Sequence, residues 1–306
     1  MSTPARKDPT DGHVSAFMAE RPRLVGIAYR MLGDVSEAED IAQEAYLRFA
    51  EVPLEEVDRP AAYLTTVTTR LAIDRLRAAQ RRRESYVGEW IAEPVLDDPR
   101  SAPAPDESAL VAESVTLGFL RMLDSLGPTE RAVFLLHEVF DLPHAEIARI
   151  VNRSEVACRK VASRARRSLE AHRSGRRQVD SAGEEAVLGA FASALRNGDI
   201  QGVLETLADD AVATSDGGGK VSAAIRPVRG APRVARFMVG IARNAPEDWS
   251  AVPAWVNGEP AFLVHFGDHL DSVAVFGVAP GGIEHIHIVR NPDKLDALRG
   301  GYRLEL

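Results

Sequence analysis

The residues best suited to chemistry on a partner are arginines. Between Asn152 and Arg177 nine Lys/Arg stand against two acids, in a chain of 306 residues with a net charge of −8 and a pI near 5.6. A cationic segment this dense in an acidic chain suits local capture of a polyanion, whereas the acidity of the whole argues against general coating of nucleic acid. A second cluster, Arg75, Arg77, Arg81, Arg82 and Arg83, lies in "DRLRAAQRRR". Acid-base catalysis would instead need a carboxylate base and an acid donor facing each other in an apolar pocket. Asp210, Asp216, Asp268 and Asp271 are candidates, but most fall in expected turns and their spacing selects no pair. His285 and His287 share a face of one expected strand and, with His265 and His269, form an imaginable ligand set. No tight zinc spacing accompanies them, so neither metal nor cofactor is expected. The lone Cys158 forms no internal disulfide, which fits a reducing cytoplasm.

These residues need elements to position them. "PHAEIARIVNRSEVACRKVASRARRSLEA" predicts a helix from His144 to Val151, a turn of Asn152, Arg153 and Ser154, and a second helix from Glu155 to about Ala171 capped by Ser154. At the helical period, Ala157, Cys158, Val161, Ala162, Ala165 and Leu169 share an arc of about 140°. Arg159, Lys160, Ser163, Arg166 and Arg167 project from the opposite side, with Arg164 in the same basic run. One face packs and makes Cys158 a core thiol; the other is cationic. A helix-turn-helix whose second helix enters a DNA major groove follows, the competing reading being a solvated charged face. Sequence does not sort these side chains between phosphates and guanine edges.

The wider organisation is modular. Residues 13 to about 83 read as helices, with Ser36 expected to cap one and Pro60 opening another. Four prolines in 89–108 (Pro94, Pro99, Pro103, Pro105) read as a flexible linker. A second helical block follows, and "HRSGRRQVDSAG" reads as a polar hinge. Beyond Ser181 the texture is α+β: helices in "EEAVLGAFASALRNG", "IQGVLETLADD" and "APRVARFMVGIAR", a Gly-rich turn, and strands in "AFLVHFG", "SVAVFGVA" and "IEHIHIV". The polar start has no signal-peptide core and no apolar run approaches the roughly 18 residues of a membrane span, so a cytoplasmic protein of two or three domains without a membrane partner is expected.

"DVSEAEDIAQEAYLRFA", "AAYLTTVTTRLAIDRLR" and "LGPTERAVFLLHEVFDLPHAEIARIV…SRARRSL" resemble regions 2 and 4 of an extracytoplasmic-function (ECF) sigma factor, a bacterial promoter-specificity subunit. The resemblance implies a region 2 helical bundle at 13–88, a linker at 89–108 and a region 4 helix-turn-helix domain at 109–175. It implies RNA polymerase core and promoter DNA as partners. Asp40, Gln43 and Glu44 would meet the polymerase clamp helices, and the "AAYLTTVTTRLAIDRLR" helix with the loop before it would recognise and melt the −10 element. Melting requires an unstacked base to be held, which places a base pocket in this area, where Tyr63 stands in a position often held by tryptophan in the family. The helix from Glu155 would read the −35 element.

Residues 181–306 resemble the SnoaL-like domains of the ketosteroid-isomerase cone fold, in which helices cover a curved sheet around a pocket. "DGGGK" (Asp216, Gly217, Gly218, Gly219, Lys220), "NPDKL" (Asn291, Pro292, Asp293, Lys294, then Leu295) and "WIAEP" (Trp90, Glu93 and Pro94) match the ECF subgroup carrying this fused domain. Ile91 and Ala92 depart from the family's "WLPEP". The resemblance implies a multidomain protein without catalytic activity of its own, whose α+β tail acts as a built-in regulator in place of a separate anti-sigma partner. It leaves open an unknown small-molecule ligand in the tail. Two alternatives remain: a ligand-responsive DNA-binding activator that never joins core polymerase, and a bifunctional protein with an isomerase-like C-terminal enzyme.

Overall fold

A computed structural model describes residues 9–97, 113–173 and 181–302. Among the described residues of the first half are seven α-helices: α1 (Pro9–Leu32), α2 (Val35–Ala50), α3 (Pro60–Arg83), α4 (Leu117–Leu123), α5 (Pro128–Glu138), α6 (His144–Val151) and α7 (Glu155–Arg173). The chain divides into two compact units. One holds residues up to Arg82 together with Leu123–Ser168; the other holds residues 83–122 together with 169–303.

The first unit is built from apolar stripes at helical spacing. Leu24, Ile27, Ala28 and Met31 of α1 are buried, as are Ile41, Ala45 and Phe49 of α2 and Leu64, Ala72 and Leu76 of α3. Asp34 caps α2 by accepting from the Glu37 amide at 2.9 Å. The expected cap, Ser36, instead donates its hydroxyl to Asp34 at 3.0 Å, because the helix begins at Val35, two residues earlier than a cap at Ser36 requires. Arginines join the early helices to the later ones. Arg70 of α3 donates to the carbonyls of Ile150 (2.9 Å) and Arg149 (3.0 Å) at the end of α6, where carbonyls lack intrahelical partners. Arg131 of α5, 1% exposed, donates to the Arg30 carbonyl (3.0 Å) and to Asp124 (2.8 Å).

The second unit contains α8 (Ser181–Arg196), α9 (Ile200–Glu205), β1 (Leu207–Asp216), β2 (Val228–Arg229), α10 (Ala231–Arg243), β3 (Trp249–Val256), β4 (Glu259–Phe266), β5 (His269–Ala279), β6 (Gly282–Val289) and α11 (Asp296–Arg299). The sheet order is β2-β1-β6-β5-β4-β3, with β1 and β6 parallel and all other neighbours antiparallel. Its core joins Phe191, Val203, Val234 and Met238 from the helices to Phe276 and Ile286 from the strands.

Three expectations change here. "LADD", expected to be helical, opens β1, and β2 and β3 were not anticipated. The described part of the expected flexible linker is packed: Ile91, Ala92, Glu93 and Val95 are buried, and Leu96 forms a β-bridge to Val256. A proline-rich segment cannot build its own hydrogen-bonded structure, but its backbone can pair with a neighbour that supplies the groups. Of the expected polar hinge at 172–183, residues 172–173 and 181–183 are helical and 174–180 lie outside the described residues, as do residues 98–108 of the linker.

Candidate nucleic-acid interface and interdomain hub

The helix-turn-helix forms as its spacing predicts. Asn152 ends α6 in the left-handed region (φ 52°), and the Ser154 hydroxyl accepts from the Ala157 amide at 3.2 Å to start α7. Cys158, Ala162 and Ala165 are buried, while Arg159, Lys160, Ser163, Arg164, Arg166 and Arg167 are exposed. Burial pushes the Cys158 thiol up, which keeps it the inert protonated form. Three of the exposed arginines already have carboxylates: Arg159 with Glu155, Arg164 with Glu130 (3.7 Å) and Arg166 with Glu138 (2.6 Å).

The second basic cluster is less uniform. Arg77, Arg81 and Arg82 are exposed, whereas Arg75 is half-buried against Glu37 at 2.5 Å. Arg83 lies over the Trp90 ring, 3.2 Å from its centroid, so its guanidinium is committed to a cation–π contact. On α2, Asp40 and Gln43 are exposed and Glu44 pairs with Arg48 at 2.6 Å. Leu47, 56% exposed, extends the same stripe at the next helical step; sequence reading passed over it, although an apolar residue at that spacing beside polar ones was visible.

The two C-terminal motifs and the linker meet around Asp216, which is 0% exposed at the end of β1. Its carboxylate accepts from the Tyr86 hydroxyl (2.6 Å), the Ile91 amide (3.0 Å), the Gly218 amide (3.0 Å) and the Lys294 ammonium (2.6 Å). Lys294 also donates to the Ile91 carbonyl at 2.5 Å and stands 4.2 Å from the Trp90 ring centroid. Asn291 donates its side-chain amide to the Tyr86 oxygen at 2.9 Å, and its backbone N–H to the Asp216 carbonyl at 2.9 Å. Burial, with the Asp216 carboxylate beside it, holds the Tyr86 hydroxyl well above its usual range and keeps it a donor. Lys220 and Asp293 pair at 2.5 Å on the surface. The glycine run is required by space: a Cβ on Gly217 would lie 2.4 Å from the Val221 carbonyl oxygen, and one on Gly218 would lie 2.4 Å from Asn291. Glu93 is buried in the same segment, Pro94 is buried beside it, and Pro292 opens a short 3-10 turn over Pro292–Lys294. Tyr86 and the Ile91 peptide were not among the sequence candidates, since nothing local marks a partner 130 residues away.

A second polar clamp lies at Asn257. Its side chain accepts from the Val95 amide (2.9 Å) and donates to the Val115 carbonyl (2.8 Å), so one amide group holds two points of the segment joining α3 to α4.

A family model for sigma-70 region 2 matches residues 16–82, and one for sigma-70 region 4 matches residues 117–169. The chain is 39% identical over 248 residues to the ECF RNA polymerase sigma factor SigJ of Mycobacterium tuberculosis, covering 80% of this chain and 79% of that one. It is 35% identical over 295 residues to the probable ECF sigma factor SigI of the same organism, covering 93% and 95%. The chain belongs to the ECF RNA polymerase sigma factors. The crystal structure of Mycobacterium tuberculosis SigJ matches with a TM-score of 0.72 at 33% identity, over 95% of this chain and 99% of that one. The match carries the whole architecture, two helical sigma regions followed by an α+β domain.

As an ECF sigma factor, the chain binds polymerase core and directs promoter recognition and initiation. No described helix is long and apolar enough to cross a membrane. The four candidate carboxylates of this sigma factor do not converge. Asp210 and Asp268 are exposed, Asp216 is tied to Lys294, and Asp271 is paired with Arg290 at 2.8 Å. The histidines are likewise separate in purpose: His287 bonds Thr214 at 2.7 Å, His285 faces Glu259 at 3.2 Å, and His269 lies 3.4 Å from Arg299. No group of three or more potential metal ligands forms among the described residues.

Proposed function

We propose that the C-terminal α+β domain controls this sigma factor in cis by holding the segment that joins region 2 to region 4. The observation that carries the reading is the pair of clamps, Asp216 and Asn257, on that segment. The sequence between Arg83 and Leu117 is the covalent tether of the two DNA-binding regions, and its reach is at most ~3.3–3.6 Å per residue. With Val95 and Val115 held on one side chain, the residues between them add no reach. Releasing them lets the two regions separate to span the −10 and −35 elements. In this reading Arg159, Lys160, Ser163, Arg164, Arg166 and Arg167 contact the −35 element, Arg77, Arg81 and Arg82 contact DNA near −10, and Asp40, Gln43 and Glu44 contact core polymerase. Arg75 and Arg83 take supporting roles, and the domain limits are 13–88, 89–108, 109–175 and 181–306.

In vitro transcription with core enzyme tests it. Lys294→Met and Asn257→Ala, each loosening one clamp, should raise promoter output several-fold over the wild-type chain at equal protein. Alanine at Arg159, Lys160, Arg166 and Arg167 should abolish it, and Asp40→Lys with Glu44→Lys should abolish association with core. Unchanged output from both clamp variants would sink control in cis while leaving the sigma assignment standing.

A further inference from the structure

Between the helices and the sheet of the C-terminal unit lies a cavity of about 630 Å³, within the ~300–1,000 Å³ range of small-molecule sites. Its walls are apolar: Phe191 from α8, Phe237 and Met238 from α10, and Phe262, Phe276 and Ile288 from the strands. Phe276 makes edge-on contacts with Phe191 and Phe262, both at 5.4 Å between centroids, so the aromatic wall is mutually braced. Small residues, Ala251 and Ala274 among them, keep the space open. The pocket is partly open to solvent, and its apolar lining gives water there few hydrogen-bond partners, so an apolar ligand body fits it better than water does.

The charged residues of the lining define the occupant. They are Asp271, Arg290, Arg196 and Arg236. Arg290 is already matched: it binds both oxygens of Asp271 (2.8 and 3.2 Å) and the Ser222 carbonyl (2.6 Å), so this pair brings no net charge. Arg196, at the end of α8, and Arg236, on α10, are exposed and have no acidic partner among the described residues. The uncompensated charge of the site is therefore positive and belongs to these two guanidinium groups, which are suited to a carboxylate.

We infer that this cavity binds a hydrophobic carboxylic acid, its apolar body between Phe191, Phe237, Phe262 and Phe276 and its carboxylate at Arg196 and Arg236. The site does not depend on control by the clamps. Titrating the full-length chain with the fluorescent acid 11-(dansylamino)undecanoate, followed by displacement with dodecanoate, dodecan-1-ol or dodecyltrimethylammonium, tests it. Dodecanoate should displace the probe at concentrations at least tenfold below the alcohol, with the cation weakest. Arg196→Gln with Arg236→Gln, both at exposed positions, should remove the preference for acid over alcohol while leaving displacement by the alcohol unchanged. Ala274→Trp, which fills the cavity, should abolish probe binding. Failure of the probe to bind, equal displacement by acid and alcohol in the wild-type chain, or a preference that survives the double arginine variant would each overturn the inference.

Discussion

In the helical unit region 2 meets region 4 through arginine side chains, whereas in the C-terminal unit the connecting segment is held through its own backbone. Arg70 and Arg131 reach across to carbonyl groups of other helices. Arg70 is exposed, and a guanidinium that leaves such a bond finds water at once. Ile91, Val95 and Asp97 instead spend their peptide groups on Asp216, Asn257 and Trp255, and Asp216 is fully buried. A buried carboxylate and orphaned peptides have no equivalent exit. The Arg70 joint can open and close, whereas the second kind, like the buried Arg131, behaves as part of a core.

This contrast can be broken by substitution, beginning where the effect is largest. Asp216→Ala strands the Lys294 ammonium and the Ile91 amide, and should cost about 3–5 kcal/mol in urea unfolding of the full-length chain. Asn257→Ala loses both clamp bonds at a left-handed backbone position (φ 55°), and should cost about 1–3 kcal/mol in the same assay. Arg70→Ala should cost about 1 kcal/mol or less, measurable as faster amide exchange at the end of α6. If Arg70→Ala proved as damaging as Asp216→Ala, the two joints would not differ in kind.

A further effect depends on pH. Burial raises the Asp97 carboxyl to about 6, with the Glu259 charge adding to the shift and the Gly258 N–H opposing it. The folded chain therefore holds this proton more tightly than the unfolded chain does. The resulting stabilisation is fully present below about pH 4 and is lost as pH rises through about 6. The C-terminal unit should resist urea better at pH 5 than at pH 7, and Asp97→Asn should remove that difference.

The parts legible in the sequence are those whose signal is local. The helix-turn-helix was readable because Pro143, Asn152 and Ser154 punctuate it and a 3.6-residue period runs through α7. β1 was not, because an irregular register between Leu207 and Val212 breaks the period of two and places Asp209 and Asp210 at exposed positions. β3 carries Pro253, tolerated because the strand is at the sheet edge, and its Asn257-Gly258 turn was the hairpin signal that could have found it. The hub was legible only as motifs placed by resemblance. Its geometry joins Tyr86 to Asn291 across 205 residues, a separation no local pattern encodes.

The parallel pairing of β1 with β6 and the late position of Lys294 set an order of events during synthesis. The ribosome completes α7 at Arg173, and only after about another 120 residues does it deliver the ammonium that Asp216 and the Ile91 carbonyl await. At ~5–20 residues per second that interval is on the order of ten seconds. The DNA-reading helices can therefore fold well before the clamp on their tether is complete, so each new molecule passes through a brief nascent period with its tether still unfastened.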